Sequence, residues 1–267
     1  MILIILLALV ALYLYMICPR VINRPDVDKL KNVHYAHRGL FDNKTSAPEN
    51  SMNAFRLAVE VGYGIEMDIQ LTKDGIPVVF HDKTLKRMCG KKGYIWEYTL
   101  EELREFTLAD SKERISTFEE VLRFVDGKVP LIIEYKMDNP DIKVCELGDK
   151  LLANYKGVYC IESFHPKVLM WYRKNRPDVV RGQLSMDFSK DEKYNAPYFA
   201  LMTYLLLNFI TRPDFIAYKY TDEKILSRRL CKKLGGLAFA YTIKSQEAYE
   251  MVKDKFDMFI FDSFIMR

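Results

Sequence analysis

The chain has 267 residues, enough for one large domain or two small ones. Lysine and arginine total 40 against 36 for aspartate and glutamate, so the net charge is only +4. This balance, without any block of like charges, excludes a typical nucleic-acid-binding protein. A composition of 49% apolar and 28% charged residues excludes intrinsic disorder, and the lack of a second long charge-free run excludes a polytopic membrane protein.

The first eighteen residues, Met1 to Cys18, contain no charged residue, glycine or proline. As a helix, this run would span about 27 Å, close to the hydrocarbon thickness of a bilayer. It lacks the basic start and small-residue cleavage site of a signal peptide, and Met16 and Ile17 do not resemble a lipoprotein signal. A buried helix is the alternative, but soluble helices rarely lack polar residues over five turns. The run therefore predicts one N-terminal transmembrane helix over residues 1–18.

The charges and cysteines around this run predict a compartment. Four cations follow the run and none precedes it: Arg20, Arg24, Lys29 and Lys31. The positive-inside rule then predicts a single-pass protein of the cell membrane with the body of the protein in the cytoplasm. The five cysteines are odd in number and have no CxxC spacing, which fits reduced thiols and favours neither a disulfide framework nor a zinc site.

After a polar linker at residues 19–31, the rest of the chain, residues 32–267, has the pattern of one α/β domain. Nine apolar, β-branched runs predict strands: 33–36, 64–69, 78–80, 129–135, 158–161, 179–184, 215–218, 237–242 and 258–261. Amphipathic segments between most of them predict helices: 51–61, 117–125, 141–154, 167–175, 221–234 and 245–255. Alternating strands and helices indicate a parallel sheet.

Nine strands are one more than a closed eightfold barrel needs. The second and third strands are joined by a Lys73-Asp74-Gly75 turn, which is too short for a parallel crossover. We therefore expect an antiparallel hairpin whose return arm brings His81 over the barrel mouth. The eight remaining strands and the length of the domain predict a TIM-type (β/α)₈ barrel with a small β-hairpin excursion.

Acidic residues interrupt two of the predicted strands near their C-terminal ends, where such barrels place active sites. Glu66 and Asp68 are two residues apart and so leave the same face of one strand, and Glu134 lies near the end of the apolar strand 129–135. A carboxylate at the end of a buried strand needs a partner charge or a metal. Three carboxylates together predict a site for a hard divalent metal, Ca²⁺ or Mg²⁺.

Further polar motifs occur in a fixed order along the chain. They are His37-Arg38, Glu49-Asn50, Glu66-x-Asp68, Thr72-Lys73-Asp74-Gly75, His81-Asp82, Leu85–Arg87, Glu134-x-Lys136 and Ser163-Phe164. This ordered set resembles the glycerophosphodiester phosphodiesterase family, and the resemblance spans roughly residues 33 to 264. The family fold is a TIM-type barrel, in agreement with the strand count.

The resemblance implies a role for each matching residue. Glu66, Asp68 and Glu134 match the divalent-metal ligands, and His37 and His81 match the general acid/base pair. Arg38 and Lys136 match the groups that hold the phosphate. Glu49 and Asn50 match a supporting pair, and the resemblance allows Glu49 to contact the metal.

The resemblance also implies a metal-dependent phosphoric diester hydrolase. Such an enzyme would cleave glycerophosphodiesters, or lysophospholipids at the membrane, to glycerol phosphate and an alcohol in lipid metabolism. A phospholipase-D-like or phosphoinositide-lyase-like activity on the same fold is one alternative. A catalytically inactive barrel that binds phosphodiester lipids is another, although none of the matching residues is lost here. Neither the leaving alcohol nor the oligomeric state follows from the sequence.

Two segments bear on the substrate. Where the family commonly has Trp-Thr-Val-Asn, this chain has Tyr241-Thr242-Ile243-Lys244. Tyr241 can still form an apolar wall of the substrate site, whereas Lys244 places a cation near the mouth and makes a more anionic substrate conceivable. The uncharged segment 196–210 is too short to span a bilayer comfortably. It is either a core-packed helix or an interfacial helix beside the active site.

Overall fold

The computed structural model describes residues 1–139 and 141–266, so Pro140 and Arg267 of the predicted domain 32–267 lie outside the described residues. The strands are β1 His34–His37, β2 Gly64–Leu71, β3 Pro77–Val79, β4 Leu131–Tyr135, β5 Tyr159–Ser163, β6 Arg181–Ser185, β7 Phe215–Lys219, β8 Leu237–Ile243 and β9 Met258–Phe261. The α-helices are α1 Ile2–Ile17, α2 Met52–Val61, α3 Lys86–Cys89, α4 Leu100–Leu103, α5 Phe118–Val125, α6 Lys143–Leu152, α7 Pro166–Asn175, α8 Pro197–Thr203, α9 Asn208–Thr211, α10 Leu226–Lys233 and α11 Gln246–Val252.

Eight of the strands in the described part of the chain form a closed parallel barrel. The strands pair in the order β1, β2, β4, β5, β6, β7, β8 and β9, and β9 pairs again with β1. Helices follow most strands on the outside, which confirms the predicted TIM-type barrel. The C-terminal ends of all eight strands lie at one end of the barrel, which we call the catalytic end, and their N-terminal ends lie at the floor.

Each of the nine predicted strands is present, with boundaries shifted by up to two residues. Five of the six predicted helices are shorter than predicted, and α7 is one residue longer. Segment 221–234 begins as a 3₁₀ turn over Tyr220–Asp222, and α10 starts only at Leu226. The residue before α10 provides no side-chain cap, whereas Ser51 and Thr117 cap α2 and α5 with hydrogen bonds to the first helical turn.

The predicted hairpin is formed by β2 and β3, which pair antiparallel with Ile69 opposite Val79. Gly75 has a φ of 79° in the turn, which favours glycine. At the open end of the hairpin, the buried Gln70 amide donates hydrogen bonds of 2.9 Å to the carbonyl oxygens of Phe80 and Asp82. These bonds hold the return arm against β2 and fix the backbone on both sides of His81.

The segment predicted as a polar linker, residues 19–31, forms part of the barrel floor. Val27 and Leu30 are buried in a cluster with inward-facing strand residues, including Tyr35 and Ile260. The Tyr35 hydroxyl donates a 2.8 Å hydrogen bond to the Leu30 carbonyl oxygen. This role was missed from the sequence because Val27 and Leu30 are isolated apolar residues among charged ones. Both close the floor of the barrel.

This packing predicts a large effect of truncation at the floor. Leu30 is only 1% exposed, so Leu30→Ala is expected to lower the free energy of unfolding by about 2–5 kcal/mol through lost burial and a cavity. Urea unfolding followed by circular dichroism would measure the change. The control Leu57→Ala, on the partly exposed face of α2, should cost well under that amount. Equal effects of the two substitutions would mean that residues 19–31 are a linker after all.

The N-terminal helix differs from its prediction. α1 has 16 residues, or about 24 Å, and ends at Ile17 because Cys18 is extended and Pro19 follows. A bilayer-spanning helix needs about 20 apolar residues. Among the helices of the described residues, none combines the length and apolarity required to cross a membrane. The predicted transmembrane helix over residues 1–18 is therefore not supported.

The apolar segment 196–210 is divided between the core and the surface. It forms α8 and most of α9 rather than one continuous helix. Leu205 between them is buried with a φ of 57°, whereas Leu201 and Tyr204 are exposed. The core-packed interpretation therefore holds for Leu205, and the outward side chains leave an apolar surface at the catalytic end.

Candidate active site

Three carboxylates converge at the catalytic end of the barrel. Glu66 and Asp68 leave the inner face of β2, and Glu134 on β4 is in register with Asp68. All three side chains are buried, and each offers an oxygen within 4.8 Å of the other two. The period of two along a strand and the parallel register of β2 and β4 produce this cluster. The structure thus brings together the three predicted metal ligands.

The carboxylates strongly affect one another's pKa values. Burial raises the pKa of Glu66 well above its usual range, and the charges of Asp68 and Glu134 raise it further. Burial also raises the pKa of Glu134, against the opposing effect of Lys136. Burial acts in the same direction on Asp68, but the cations around it, led by Lys136, bring its pKa below the usual range. A hard dication among these oxygens would stabilise all three anions, so the residues fit a Ca²⁺ or Mg²⁺ site.

Two cations border the carboxylate cluster. The Lys136 ammonium lies 2.7 Å from Glu134 Oε1 and 3.0 Å from Asp68 Oδ1. The Arg38 guanidinium donates a 2.7 Å hydrogen bond to Glu49, and its Nε lies 3.7 Å from Asp68 Oδ2. Burial opposes the charge on both side chains, but the neighbouring carboxylates outweigh burial and raise both pKa values. Both side chains therefore stay cationic and can bind a phosphate.

The backbone at Arg38 and Asn50 adopts the left-handed region, with φ values of 57° and 56°. The two positions are tied by a 2.9 Å hydrogen bond from the Asn50 backbone amide to the Arg38 carbonyl oxygen. This conformation lets the Arg38 amide donate to Glu66 and the Asn50 side chain donate to Asp68. Left-handed conformations of such residues are costly and concentrate at functional sites. Here they orient two of the carboxylates.

The two histidines occupy different environments. His37 ends β1, and its Nε2 lies 3.9 Å from Glu66 Oε2. Burial, assisted by the positive charge of Arg38, lowers the pKa of His37 well below its usual range, so its imidazole is neutral at pH 7. The Nδ1 of His81 lies 2.8 Å from Asp82 Oδ1, a contact that orients the imidazole and leaves Nε2 available for substrate.

Arg87 completes the site; it was placed in the motif Leu85–Arg87 from the sequence but was given no role. Its guanidinium donates to both oxygens of Glu49 at 2.7 Å and to both oxygens of Asp82 at 2.6 and 2.7 Å. Glu49, His81 and Asp82 also have ligand atoms within 4.8 Å of one another, but Arg87 already neutralises the two carboxylates. Glu49 is absent from the Glu66 cluster among the described residues, so its geometry supports positioning of cations rather than metal binding.

A second feature missed from the sequence is Glu162 on β5. It is buried in register with Glu134, and burial and the charge of Glu134 raise its pKa well above the usual range. A single carboxylate in an apolar strand gave no spacing that could pair it with the others. Its raised pKa favours a neutral carboxylic acid beside the anionic cluster.

A cleft of about 500 Å³ opens from these polar groups. One side is polar and the other is aromatic; its lining includes His81, Glu134, Lys136, Phe164, Phe188, Tyr198, Phe199 and Met202. Tyr241 contacts the Phe164 ring edge-on at 6.1 Å between centroids, and its hydroxyl donates to the Ser185 carbonyl oxygen. Tyr241 is not among the residues that line this cleft, so the wall predicted from Tyr241 is supplied instead by Phe164, α8 and the segment after β6. We call this side the aromatic wall.

Comparison with known proteins identifies the family. Residues 37–263 match the model of the glycerophosphoryl diester phosphodiesterase family. A glycerophosphodiester phosphodiesterase of Caldanaerobacter subterraneus subsp. tengcongensis is 33% identical over 167 residues, which cover 58% of this chain and 67% of that protein.

Solved structures agree in fold. A Thermotoga maritima glycerophosphodiester phosphodiesterase is 27% identical with a TM-score of 0.66, covering 87% of this chain and 95% of its own. An Oleispira antarctica phosphodiesterase, solved with the product sn-glycerol-3-phosphate, has a TM-score of 0.72 at 21% identity and covers 88% and 94%. Because the family model matches most of the chain, this protein belongs to the glycerophosphoryl diester phosphodiesterase family of hydrolases.

Proposed function

We propose that this protein is a metal-dependent enzyme that hydrolyses glycerophosphodiesters to glycerol phosphate and an alcohol. The observation that carries the proposal is the buried cluster of Glu66, Asp68 and Glu134, bordered by two imidazoles and two cations at one barrel mouth. Metal binding, phosphate binding and proton transfer are the functions that phosphodiester hydrolysis requires.

The residues divide these functions among them. A Ca²⁺ or Mg²⁺ ion held by the three carboxylates would act as a Lewis acid on a phosphoryl oxygen. Arg38 and Lys136 bind the phosphate and neutralise the charge that grows on it in the transition state. Their ion pairs with Glu49 and Asp68 keep both cations aimed at the cleft before substrate arrives.

The histidines move the protons. His37, neutral at pH 7, accepts a proton from the attacking hydroxyl, and His81, with its Nδ1 held by Asp82, donates one to the leaving alcohol. With the substrate's own glycerol 2-hydroxyl as nucleophile, a new O–P bond forms as the bond to the alcohol breaks, giving a cyclic phosphate. Water then opens the ring with the proton transfers reversed. Direct attack by water uses the same two residues.

The aromatic wall suggests a lipid substrate and a role in lipid metabolism. Phe188 and Phe199 pack 5.2 Å apart between ring centroids, and Phe199 packs at 4.8 Å against Tyr194. An apolar surface beside a phosphate site suits the acyl chain of a lysophospholipid. Lys244 follows β8 and is exposed at the catalytic end, where a cation favours an anionic leaving alcohol.

The experiment is a panel of soluble and lipid phosphodiesters. Glycerophosphocholine, glycerophosphoinositol and lysophosphatidylcholine would be incubated with Ca²⁺, with Mg²⁺ or with EDTA, and glycerol phosphate and free alcohol would be quantified. We expect hydrolysis with one or both metals and at least about a 10³-fold loss with EDTA. Hydrolysis that is unchanged by the chelator would contradict the metal site, and no release from any compound would contradict the activity.

We further propose that α1 attaches the protein to the cytoplasmic side of the cell membrane. The helix carries no charge, Arg20 and Arg24 follow it, and all five cysteines are free thiols. Protease added outside intact cells should leave the barrel uncut. Membrane-free recovery of the whole chain, or cleavage of the barrel from outside, would contradict this localisation.

A further inference from the structure

The direction of α1 follows from its contacts with α9 and α10. The Asn208 amide donates a 3.0 Å hydrogen bond to the Ile17 carbonyl oxygen and lies 3.7 Å from the Cys231 sulfur, so Ile17 is level with Cys231. Tyr13 lies beside Ser227. Each step is four residues, or about one helical turn, and both steps go in the same direction along the chain. α1 therefore runs parallel to α10.

This direction places the free part of α1 at the catalytic end. α10 connects β7 to β8, so it begins near the C-terminal end of one strand and ends at the floor. At the floor, the Arg20 amide donates to the carbonyl oxygen of Pro213, just before β7. Residues 1–12 therefore extend past Tyr13 towards the catalytic end, by about 18 Å at 1.5 Å per residue.

The free part of α1 is apolar around its whole circumference. All of residues 1–12 are exposed, and its large side chains range from 48% exposed at Val10 to 93% at Met1. A helix that binds a groove presents one apolar face and keeps a polar one for water, whereas a helix that is apolar on every side needs surrounding hydrocarbon. The occupant that fits this segment is the interior of a lipid bilayer.

A second group of exposed apolar side chains lies at the same end. Leu201 and Tyr204 of the α8 region are exposed, and Leu226, at the start of α10, is 60% exposed. Tyr204 lies near Tyr13 of α1. We call residues 1–12 with Leu201, Tyr204 and Leu226 the docking surface. Because α8 also supplies the aromatic wall, this surface continues to the substrate cleft.

We propose that the protein lies on the bilayer with its catalytic end turned to the membrane. This orientation rests on the proposed membrane attachment through α1 and deepens it. With residues 1–12 inserted in the bilayer and Leu201, Tyr204 and Leu226 turned to it, the barrel approaches the lipid surface by its catalytic end. A lipid with one acyl chain then passes from the bilayer along the aromatic wall, and its head group reaches Arg38 and Lys136 without crossing water.

The first test measures orientation by fluorescence. Tryptophan would replace Tyr204 or, as a matched control at the floor, the 71% exposed Met251. Both variants would also carry His81→Ala, so that binding is measured without turnover. On phosphatidylcholine vesicles containing brominated phosphatidylcholine, the added tryptophan at position 204 should be quenched several-fold more than that at 251. Equal quenching, or stronger quenching at 251, would overturn the orientation.

The second test separates docking from catalysis. In a protein with both histidines intact, Leu201→Glu with Leu226→Glu should lower hydrolysis of lysophosphatidylcholine in these vesicles about tenfold, because a short carboxylate cannot avoid the apolar layer. Hydrolysis of soluble glycerophosphocholine should not change. The control pair Val61→Glu with Met251→Glu, at the floor ends of α2 and α11, should affect neither substrate.

The outcomes distinguish this inference from the proposed function. A vesicle effect of the control pair equal to that of the catalytic-end pair would overturn the inference. Failure of the protein to sediment with vesicles, together with dimerisation that the catalytic-end pair abolishes, would overturn it in favour of a second copy as occupant. Selective quenching at position 204, together with no hydrolysis of any phosphodiester by the protein with both histidines intact, would support the docking surface. It would contradict only the proposed enzymatic activity.

Discussion

Glu66→Gln is expected to lower kcat on glycerophosphocholine by at least about 10³-fold. Glutamine keeps the volume of the side chain but cannot supply the anionic oxygen that a hard dication requires. Without metal, the variant should be at least as stable as the parent, because Glu66 is buried beside Asp68 and Glu134 and its charge repels theirs. The rise in Tm that Ca²⁺ or Mg²⁺ gives the parent should be lost.

Turnover assays and thermal melts with and without metal measure both effects. Glu119→Gln is the matched control, because Glu119 is an exposed carboxylate on α5 that pairs only with Arg123 among the described residues. It should leave kcat and the metal-dependent rise in Tm unchanged. A metal-dependent rise in Tm that survives Glu66→Gln, Asp68→Asn and Glu134→Gln alike would show that the metal binds elsewhere.

His81→Ala is expected to lower kcat by about 10²–10⁴-fold, because the leaving alcohol loses its proton donor. The metal-dependent rise in Tm should persist, since the imidazole is not one of the carboxylate ligands. His37→Ala should have a similar effect on kcat, and the double variant should be little worse than either single variant because the two histidines act as a unit. Near-normal turnover in either single variant would refute the assignment.

A milder substitution tests the support of the His81 imidazole separately from the imidazole itself. Asp82→Asn keeps the shape of the group that holds His81 Nδ1 but removes its charge, so it should cost less than His81→Ala. Lys86→Gln, on α3, is the control, because Lys86 is exposed and is not among the residues that line the cleft. The order expected for kcat is parent and Lys86→Gln, then Asp82→Asn, then His81→Ala.

The barrel and most of the candidate site could be predicted because their signals are local. Strands of β-branched residues repeat along the chain, and Glu66 and Asp68 share a face through the strand period alone. The hairpin followed from a turn too short for a crossover. The resemblance then assigned Arg38, Asn50 and Lys136 to positions that the structure brings to the carboxylate cluster.

The remaining features depend on contacts between distant parts of the chain. Arg87 meets Glu49 across 38 residues, and no periodicity links them. Leu30 closes the floor from a segment whose charges resemble those of a linker. The N-terminal run was long enough by composition for a transmembrane helix, but the position of Pro19 and the contacts of Ile17 end the helix early. A hydropathy profile reports the polarity of the side chains. It does not report where the backbone leaves the helical conformation.

His37 ends β1 and His81 follows β3, and both of these strands pair with β2. This placement determines where the chain can accept an inserted residue without disturbing the site. His37 is in register with Glu66, and the amide of Phe80, next to His81, donates to the Asp68 carbonyl oxygen. The distance between the two imidazoles is therefore set by the spacing of residues along β2. An insertion in the segment between β3 and β4 leaves that distance unchanged. A single residue added between Glu66 and Asp68 would turn one carboxylate away from the barrel interior. It would also shift His81 by one residue along β2 relative to His37.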